Sequence, residues 1–237
     1  MRFCAGDAGI LSRGGIALLL AVFGAASLAA QSAPPLFPMT KGTAWTYTGT
    51  AGFQGKDSKI EEVRLSWQTE VVDSVDQGAM KAALLRGDPR DLIWYSGEPK
   101  RGCYLAITVE NRQLYFQRSP ACVLPKGDLS LALSPENLLL KLPGHVGDTF
   151  AANPQRENDG RYAWSVESCQ QVSFPDVKGV PAGRKFDAYG LMYRTNPDHQ
   201  IVTFVPGIGL TEYVYSHHGT PSEVHMKLSE FHTDAGQ

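Results

Sequence analysis

The chain has 237 residues, of which 22 are basic and 24 acidic, so its formal net charge is −2 at pH 7. The basic side chains are scattered along the sequence, which argues against a surface for nucleic acid or for an anionic membrane. Hydrophobic residues make up 43% of the chain, which is enough for one sizeable core in a folded domain.

The first 30 residues have the layout of a secretory signal peptide. Arg2 and Arg13 precede a short apolar run, and a stretch of small residues follows it. The run is shorter than the roughly 20 residues that span a bilayer, which favours a cleaved signal peptide over a retained anchor. We therefore predict that residues 1–30 are removed. Residues 34–237 then form a single secreted or periplasmic domain without a transmembrane segment.

Two segments of the chain carry the same spacing of residues. In "FPMTKGTAW" and "LPGHVGDTF", an apolar residue and Pro are followed by three residues, Gly, two residues and an aromatic residue. We call these segments the first and second gates. Gly42 and Gly147 predict tight turns, and Trp45 and Phe150 predict a large apolar side chain at the start of a strand.

The repeated gate suggests that the domain consists of two pseudo-repeated halves, at about 34–135 and 136–237. A stretch rich in predicted strands follows each gate, and the two stretches have similar lengths. Because turns built from Pro and Gly are common, the alternative is that two unrelated turns coincide. Beyond the gates, the two halves share little sequence identity.

Most of the remaining chain has the pattern of β-strands. In the last predicted strand, Val224, Met226 and Leu228 share one face, while His225 and Lys227 share the other. The sequence predicts a mainly β fold in which an antiparallel meander forms a curved sheet or half-barrel. The predicted strands are "AWTYTGT", "EVRLSWQTEVV", "MKAALLR", "LIWYS", "CYLAITVE", "RYAWSVESCQQVSF", "KFDAYGLMYR", "QIVTFV", "GLTEYVYSHH" and "EVHMKLSEF".

Three cysteines remain after cleavage of the signal peptide. Between Cys103 and Cys122, two apolar runs meet at the polar "ENRQ", which predicts a hairpin whose outer ends are neighbours. We therefore predict a disulfide between these two residues, with a stabilisation of about 3 kcal/mol. Cys169 is then expected to be a buried free thiol.

One segment, "SPENLLLKL", has the signals of a short helix. Ser134 can cap it, Pro135 suits the first turn, and Glu136 complements the helix dipole. The alternative is an extended, Leu-rich connector. The fold is accordingly expected to contain at most one or two short helices.

Further turns are predicted in "VPAGRKF" and "FVPGIGLTEYVY". Pro181 and Pro206 fix the backbone for a turn, and Gly183, Gly207 and Gly209 allow positive φ or a close approach of two backbones. Together with Gly42, Gly147, Trp45 and Phe150, these residues are the structural anchors that the sequence predicts.

These motifs resemble those of a broad group of secreted bacterial β-rich proteins of unknown function. The matching positions are Trp45, Tyr47, 142–150, 180–183, Phe186 and 204–210. The chain departs from the group's pattern in "GHV" and in having Phe150 in place of Trp. The resemblance implies a β-rich periplasmic domain related to the half-barrels that carry lipoproteins and lipids.

No motif of an enzyme or of a metal site emerges. The chain lacks G-x-S-x-G, H-E-x-x-H, P-loop and C-x-x-C sequences. His217, His218 and His225 lie near a predicted turn, but with Glu223 they do not complete a metal-ligand set. We therefore assign no catalytic, cofactor-binding or metal-binding residue. The missing motifs favour a noncatalytic role but leave open a carboxylate pair drawn from distant strands.

Two functions are compatible with this pattern. The first is a noncatalytic extracytoplasmic binding or carrier module, whose concave sheet offers an apolar surface to a lipid, a lipoprotein segment or an envelope partner. The alternative is a hydrolase of cell-envelope or plant polymers that uses unrecognised carboxylates. An apolar groove would favour the first function, and two carboxyl groups about 5 to 10 Å apart in a polar cleft would favour the second.

Overall fold

The computed structural model describes residues 34–55, 57–92, 100–151, 161–218 and 222–233 of the chain. In these ranges, twelve β-strands form one antiparallel sheet, and the helical elements are three short 3-10 turns. The prediction of a mainly β fold is therefore confirmed. No helix within the described ranges has the length and apolar character needed to cross a membrane.

Tight turns join many of the strands, as their turn-forming residues predict. The strands are β1 (Ala44–Gln54), β2 (Ile60–Gln77), β3 (Met80–Arg86), β4 (Cys103–Val109), β5 (Gln113–Arg118), β6 (Leu138–Lys141), β7 (Thr149–Phe150), β8 (Trp164–Val172), β9 (Phe186–Arg194), β10 (Asp198–Val205), β11 (Gly209–His217) and β12 (Ser222–His232). The 3-10 turns are Pro89–Leu92, Leu129–Ala132 and Pro135–Asn137.

Two sequence predictions fall wholly or partly outside the described residues. The predicted signal peptide, residues 1–30, is one of them. The predicted strand "LIWYS" is the other: only Leu92 is described, and it ends a 3-10 turn where its side chain is buried.

The sheet is a meander whose two chain ends meet. The strand order is β6-β5-β4-β3-β2-β1-β12-β11-β10-β9-β8-β7. Because β1 pairs with β12, β6 and β7 become the two edges of the sheet, and the sheet curls until these edges are in contact. This curvature confirms the predicted curved sheet. We call β1–β6 the first half and β7–β12 the second half.

Side chains fill the concave face of the sheet. Leu36 and Phe37, which precede β1, are buried there, and the Phe37 ring stacks on Trp45 with their centroids 5.4 Å apart. The indole Nε1 of Trp45 donates a hydrogen bond of 2.6 Å to the carbonyl of Ile208. The expectation of an open apolar groove on this face is therefore wrong, because the segment before β1 packs into the space that the strands enclose.

The predicted helix in residues 134–142 is also wrong, and the segment instead forms the extended, Leu-rich connector that the sequence left as the alternative. After one 3-10 turn, the chain forms β6, where Leu140 pairs with Leu114 of β5. Leu139 and Leu140 are buried in the core. A helix this short is only marginally stable in water, so strand pairing and burial outweigh the local helix signals.

The predicted disulfide between Cys103 and Cys122 is present, with Cα atoms 5.2 Å apart. It joins the outer ends of the β4–β5 hairpin, whose turn contains Glu110 and Asn111 with φ of 50° and 54°. The described residues include no free cysteine, so the expectation of a free thiol at Cys169 is wrong. An odd number of cysteines does not by itself identify which residue is unpaired.

The two gates form turns with the same hydrogen bonds. Gly42 and Gly147 have φ of 89° and 96°, as the third position of a type II turn requires. In each gate, the glycine N–H donates to a valine carbonyl in the second strand after the gate, Val71 of β2 at 3.0 Å or Val166 of β8 at 2.9 Å. The N–H of the same valine donates to the carbonyl of the residue after the glycine, Thr43 at 2.8 Å or Asp148 at 2.9 Å.

Candidate ligand-binding site

Two clefts lie at opposite ends of the sheet. The larger, which we call the turn-end cleft, has a volume of about 770 Å³, and the smaller, the disulfide-end cleft, has about 480 Å³. On β9, Phe186 lines the first and Tyr193 lines the second. These residues are seven positions apart on one strand, which corresponds to roughly 23 Å.

Turns that the sequence predicts surround the turn-end cleft. Pro143 and His145 come from the second gate, Arg184 follows the "VPAG" turn, and Pro206 belongs to the "PGIG" turn. The turns close through hydrogen bonds from Asp148 N–H to His145 (2.9 Å), from Arg184 N–H to Pro181 (3.4 Å) and from Ile208 N–H to Val205 (3.0 Å). They hold the rim of the cleft at the ends of the strands.

The lining of the turn-end cleft includes an apolar surface. Leu36 and Tyr189 are buried, while Leu142 and Phe186 are half-buried and pack against the core. Burial raises the pKa of the Tyr189 phenol, and the nearby charge of Asp187 raises it further. Leu142 and Phe186 keep accessible surface in the cleft, and this surface could contact an apolar ligand.

Cations surround this apolar surface. Arg112, Arg184 and Lys185 line the cleft, and none of the three forms an ion pair with another described residue. The Arg184 guanidinium lies 4.9 Å from the centre of the Phe186 ring. Two carboxylates, those of Glu110 and Asp187, also line the cleft. The cations therefore outnumber the carboxylates by three to two.

The predicted anchors are divided between this cleft and the core. Pro206 lines the cleft, and Pro181, Gly147, Gly183 and Gly207 lie in or next to the turns around it. Trp45 is buried and Phe150 is half-buried. A Cβ on Gly209 would come within 2.9 Å of the Phe37 ring, so this glycine permits a close approach. The sequence interpretation assigned no role to the three cations, although the adjacent Arg184 and Lys185 directly follow a predicted turn.

The disulfide-end cleft contains cations that are already paired. Asp88 and Asp91 are almost fully buried, and Arg90 Nε donates to Asp88 at 2.6 Å. Arg118 lies 3.6 Å from Asp91, which also accepts a 2.6 Å hydrogen bond from the Tyr104 hydroxyl. Burial opposes the charge of Arg90, but Asp88 raises the pKa of the guanidinium above its ordinary value. Burial and Asp88 likewise raise the pKa of Tyr104.

Aromatic side chains, amides and the exposed carboxylate of Glu136 complete the lining of the disulfide-end cleft. The rings of Trp164 and Tyr193 pack with their centroids 5.3 Å apart. The Nδ2 of Asn137 donates to Gln117 Oε1, and Gln200 projects from β10 on the opposite wall. The first half of the sheet supplies one wall of this cleft, and the second half supplies the other.

The histidines near the β11–β12 turn have separate partners. His217 Nδ1 lies 2.6 Å from Asp198, and His225 Nε2 lies 2.8 Å from Glu212. His218 instead lies 3.2 Å from His199, and burial together with His218 lowers the pKa of His199. In the part of the chain that the structure describes, no three His, Cys, Asp or Glu side chains form a group suited to a metal ion.

Comparison with known proteins gives two structural neighbours. No protein-family model matches the chain, and no curated protein matches its sequence. A candidate exported protein with a YMCC-like fold from Bacteroides fragilis NCTC 9343 superposes with a TM-score of 0.40 at 9% identity, covering 85% of this chain and 100% of its own. A candidate lipoprotein from Parabacteroides distasonis ATCC 8503 gives 0.41 at 11% identity, with the same coverage of both chains.

Proposed function

We propose that this protein is a noncatalytic extracytoplasmic binding module that holds an anionic lipid in the turn-end cleft. The observation that carries the proposal is the combination of an apolar lining with Arg112, Arg184 and Lys185, which form no ion pair among the described residues. An acyl chain would contact the apolar surface, and its negatively charged head group would lie against the cations.

Physical chemistry supports each part of this assignment. Removing an acyl chain from water is favourable by about 25 cal/mol for each Å² of apolar surface buried. Hydrogen bonds between guanidinium groups and an anion are stronger than those between neutral groups. The volume of about 770 Å³ is within the range of small-molecule sites. An uncharged lipid would gain only the first of these contributions.

Three features support a location outside the cytoplasm. The first 30 residues have the layout of a signal peptide, and a disulfide such as Cys103–Cys122 persists in an oxidising compartment. The resemblance to secreted bacterial proteins points the same way. We take residues 34–237 as one domain built from two repeats, and the matching bonds of the two gates support this division.

The binding surface in this proposal differs from the one that the sequence suggested. The concave face is packed, so the lipid would lie at one end of the sheet. Such a position suits a lipid that is exchanged with a partner in the cell envelope, because the head group stays near solvent.

The proposal is tested with dodecyl phosphate, whose apolar chain and anionic head are both defined. Displacement of a bound hydrophobic dye from the purified mature protein would be compared for dodecyl phosphate, dodecyl maltoside and inorganic phosphate. We expect dodecyl phosphate to displace the dye at about tenfold lower concentration than dodecyl maltoside, a difference of about 1.4 kcal/mol. Phosphate alone should not displace it.

A pair of variants locates the site. Arg184→Gln combined with Lys185→Gln should remove most of the preference for dodecyl phosphate, because these cations would contact its head group. Lys59→Gln is the matched control, since Lys59 is a well-exposed cation next to β2. Equal displacement by dodecyl phosphate and dodecyl maltoside, or equal effects of the two sets of substitutions, would contradict the proposal.

A further inference from the structure

The disulfide-end cleft suggests a second ligand that is independent of the proposed function. Its cations differ from those at the turn end because Asp88 pairs with Arg90, and Asp91 lies near Arg118. A ligand in this cleft therefore gains little from carrying a negative charge, since the charges of the two guanidinium groups are already balanced and the carboxylate of Glu136 also lines the cleft. The chemistry of the remaining polar groups decides what the cleft can bind.

These remaining groups can both donate and accept hydrogen bonds. Gln200 is half-buried and makes no side-chain hydrogen bond to another described residue, so its amide offers two N–H donors and one oxygen. Asn137 gives one N–H to Gln117, and its oxygen accepts no hydrogen bond from another described residue. The side chain of Arg118 is 72% exposed and contributes further donors. A hydroxyl group, which also donates and accepts, matches such a mixture.

The cleft also offers aromatic surface beside these polar groups. Tyr193 is half-buried and packs against Trp164, while Phe116 on the opposite wall is buried, with the Arg90 guanidinium 4.5 Å from the centre of its ring. An aromatic ring presents a flat apolar face, and one face of a sugar ring is a similar surface made of C–H groups. The aromatic surface therefore matches the C–H face of a sugar ring, and the amides match the hydroxyl groups at its edge.

We propose that the disulfide-end cleft binds a neutral carbohydrate. A sugar ring packs against Tyr193, and its hydroxyl groups form hydrogen bonds with Gln200, Asn137 and Arg118. The two halves of the sheet hold the ligand between them, because Gln200 and Tyr193 belong to the second half while Asn137 and Arg118 belong to the first. The cleft volume of about 480 Å³ is within the range of small-molecule sites.

The experiment follows side-chain amide signals of the ¹⁵N-labelled mature protein by NMR. Maltohexaose, cellohexaose, chitohexaose and inorganic phosphate are titrated separately. We expect at least one oligosaccharide to shift the signals of the Gln200 and Asn137 amides, and phosphate to leave them unchanged. Gln200→Ala should weaken the binding of that oligosaccharide by about fivefold or more, the size expected for the loss of a hydrogen bond.

Gln171→Ala serves as the matched control, since Gln171 is an exposed amide on β8 that lies near Asp187 at the other end of the sheet. It should leave oligosaccharide binding unchanged. The proposal is overturned if none of the three oligosaccharides shifts the Gln200 amide, or if Gln200→Ala and Gln171→Ala bind alike. A shift caused by phosphate alone would overturn it in favour of an anion site. Each of these results leaves the lipid proposal untouched, because the dye assay probes the other cleft.

Discussion

The two clefts contain the same type of cationic side chain in opposite electrostatic situations. At the disulfide end, Arg90 Nε lies 2.6 Å from the buried carboxylate of Asp88, so this guanidinium is part of the folded framework. At the turn end, Arg112, Arg184 and Lys185 form no ion pair with another described residue, and an incoming anion can take that place. The partner of a cation, more than its presence, indicates which ligand a cleft can bind.

Removing the disulfide should have the largest effect on the free energy of unfolding, and it should leave binding at the turn end unchanged. The double substitution Cys103→Ser and Cys122→Ser should lower the free energy of unfolding by about 3 kcal/mol, because the unfolded chain regains the freedom of a closed loop. Urea denaturation measures the loss. The turn-end cleft lies at the far end of the β4–β5 hairpin, so dodecyl phosphate should bind as before. A loss of this binding in the folded variant would show that the two ends are coupled.

Breaking the ion pair at the disulfide end should have the next largest effect. Asp88→Asn leaves Arg90 as a cation with only 20% of its side chain exposed, and we expect a loss of about 2 to 3 kcal/mol in the free energy of unfolding. The matched change at the turn end, Asp187→Asn, should stay within about 0.5 kcal/mol, since Asp187 forms no ion pair with another described residue. If urea denaturation showed that Asp88→Asn and Asp187→Asn lower the free energy of unfolding equally, the proposed electrostatic difference between the clefts would be contradicted.

Salt should distinguish the two proposed ligands. Raising the salt concentration from about 0.05 to 0.5 M shortens the range of electrostatic attraction, so dodecyl phosphate should bind roughly threefold more weakly relative to dodecyl maltoside. Binding of a neutral oligosaccharide at the disulfide end should change less. The dye assay and the NMR titration measure the two responses. If salt weakened the binding of both ligands equally, the assignment of an anionic ligand to the turn-end cleft and a neutral ligand to the disulfide-end cleft would be contradicted.

The sequence predicts the local features of this fold better than its clefts. Alternation along the last strand and the position of the β4–β5 turn follow from neighbouring residues, and so does the pairing of Cys103 with Cys122. The helix prediction was wrong because Leu140 pairs in the sheet with Leu114, which is distant in the chain. The packed concave face was missed because no local pattern shows that Phe37 inserts into it.

The clefts themselves depend on how the whole sheet curls. Arg112 belongs to the turn between β4 and β5, and Arg184 precedes β9, yet both line one cleft. Sequence motifs do identify the turns at the rim, since Pro206 and the second gate are among the predicted anchors. They do not show which charged side chains gather there, because that depends on the contact between the edges of the sheet.

The smallest effect is expected for the two carboxylates of the turn-end cleft, and it tests the remaining alternative. Glu110 and Asp187 line the same cleft, where a hydrolase would need a pair of acids to act together. In a binding site they only reduce the excess of positive charge. Glu110→Gln and Asp187→Asn should therefore each strengthen the binding of dodecyl phosphate by about twofold, as expected for removing a like charge that solvent partly screens. Neither variant should change the background rate with ester or polysaccharide substrates. If the protein turns over such a substrate with saturation, and either substitution abolishes this activity, then the protein is a hydrolase and the proposal of a noncatalytic binding module is wrong.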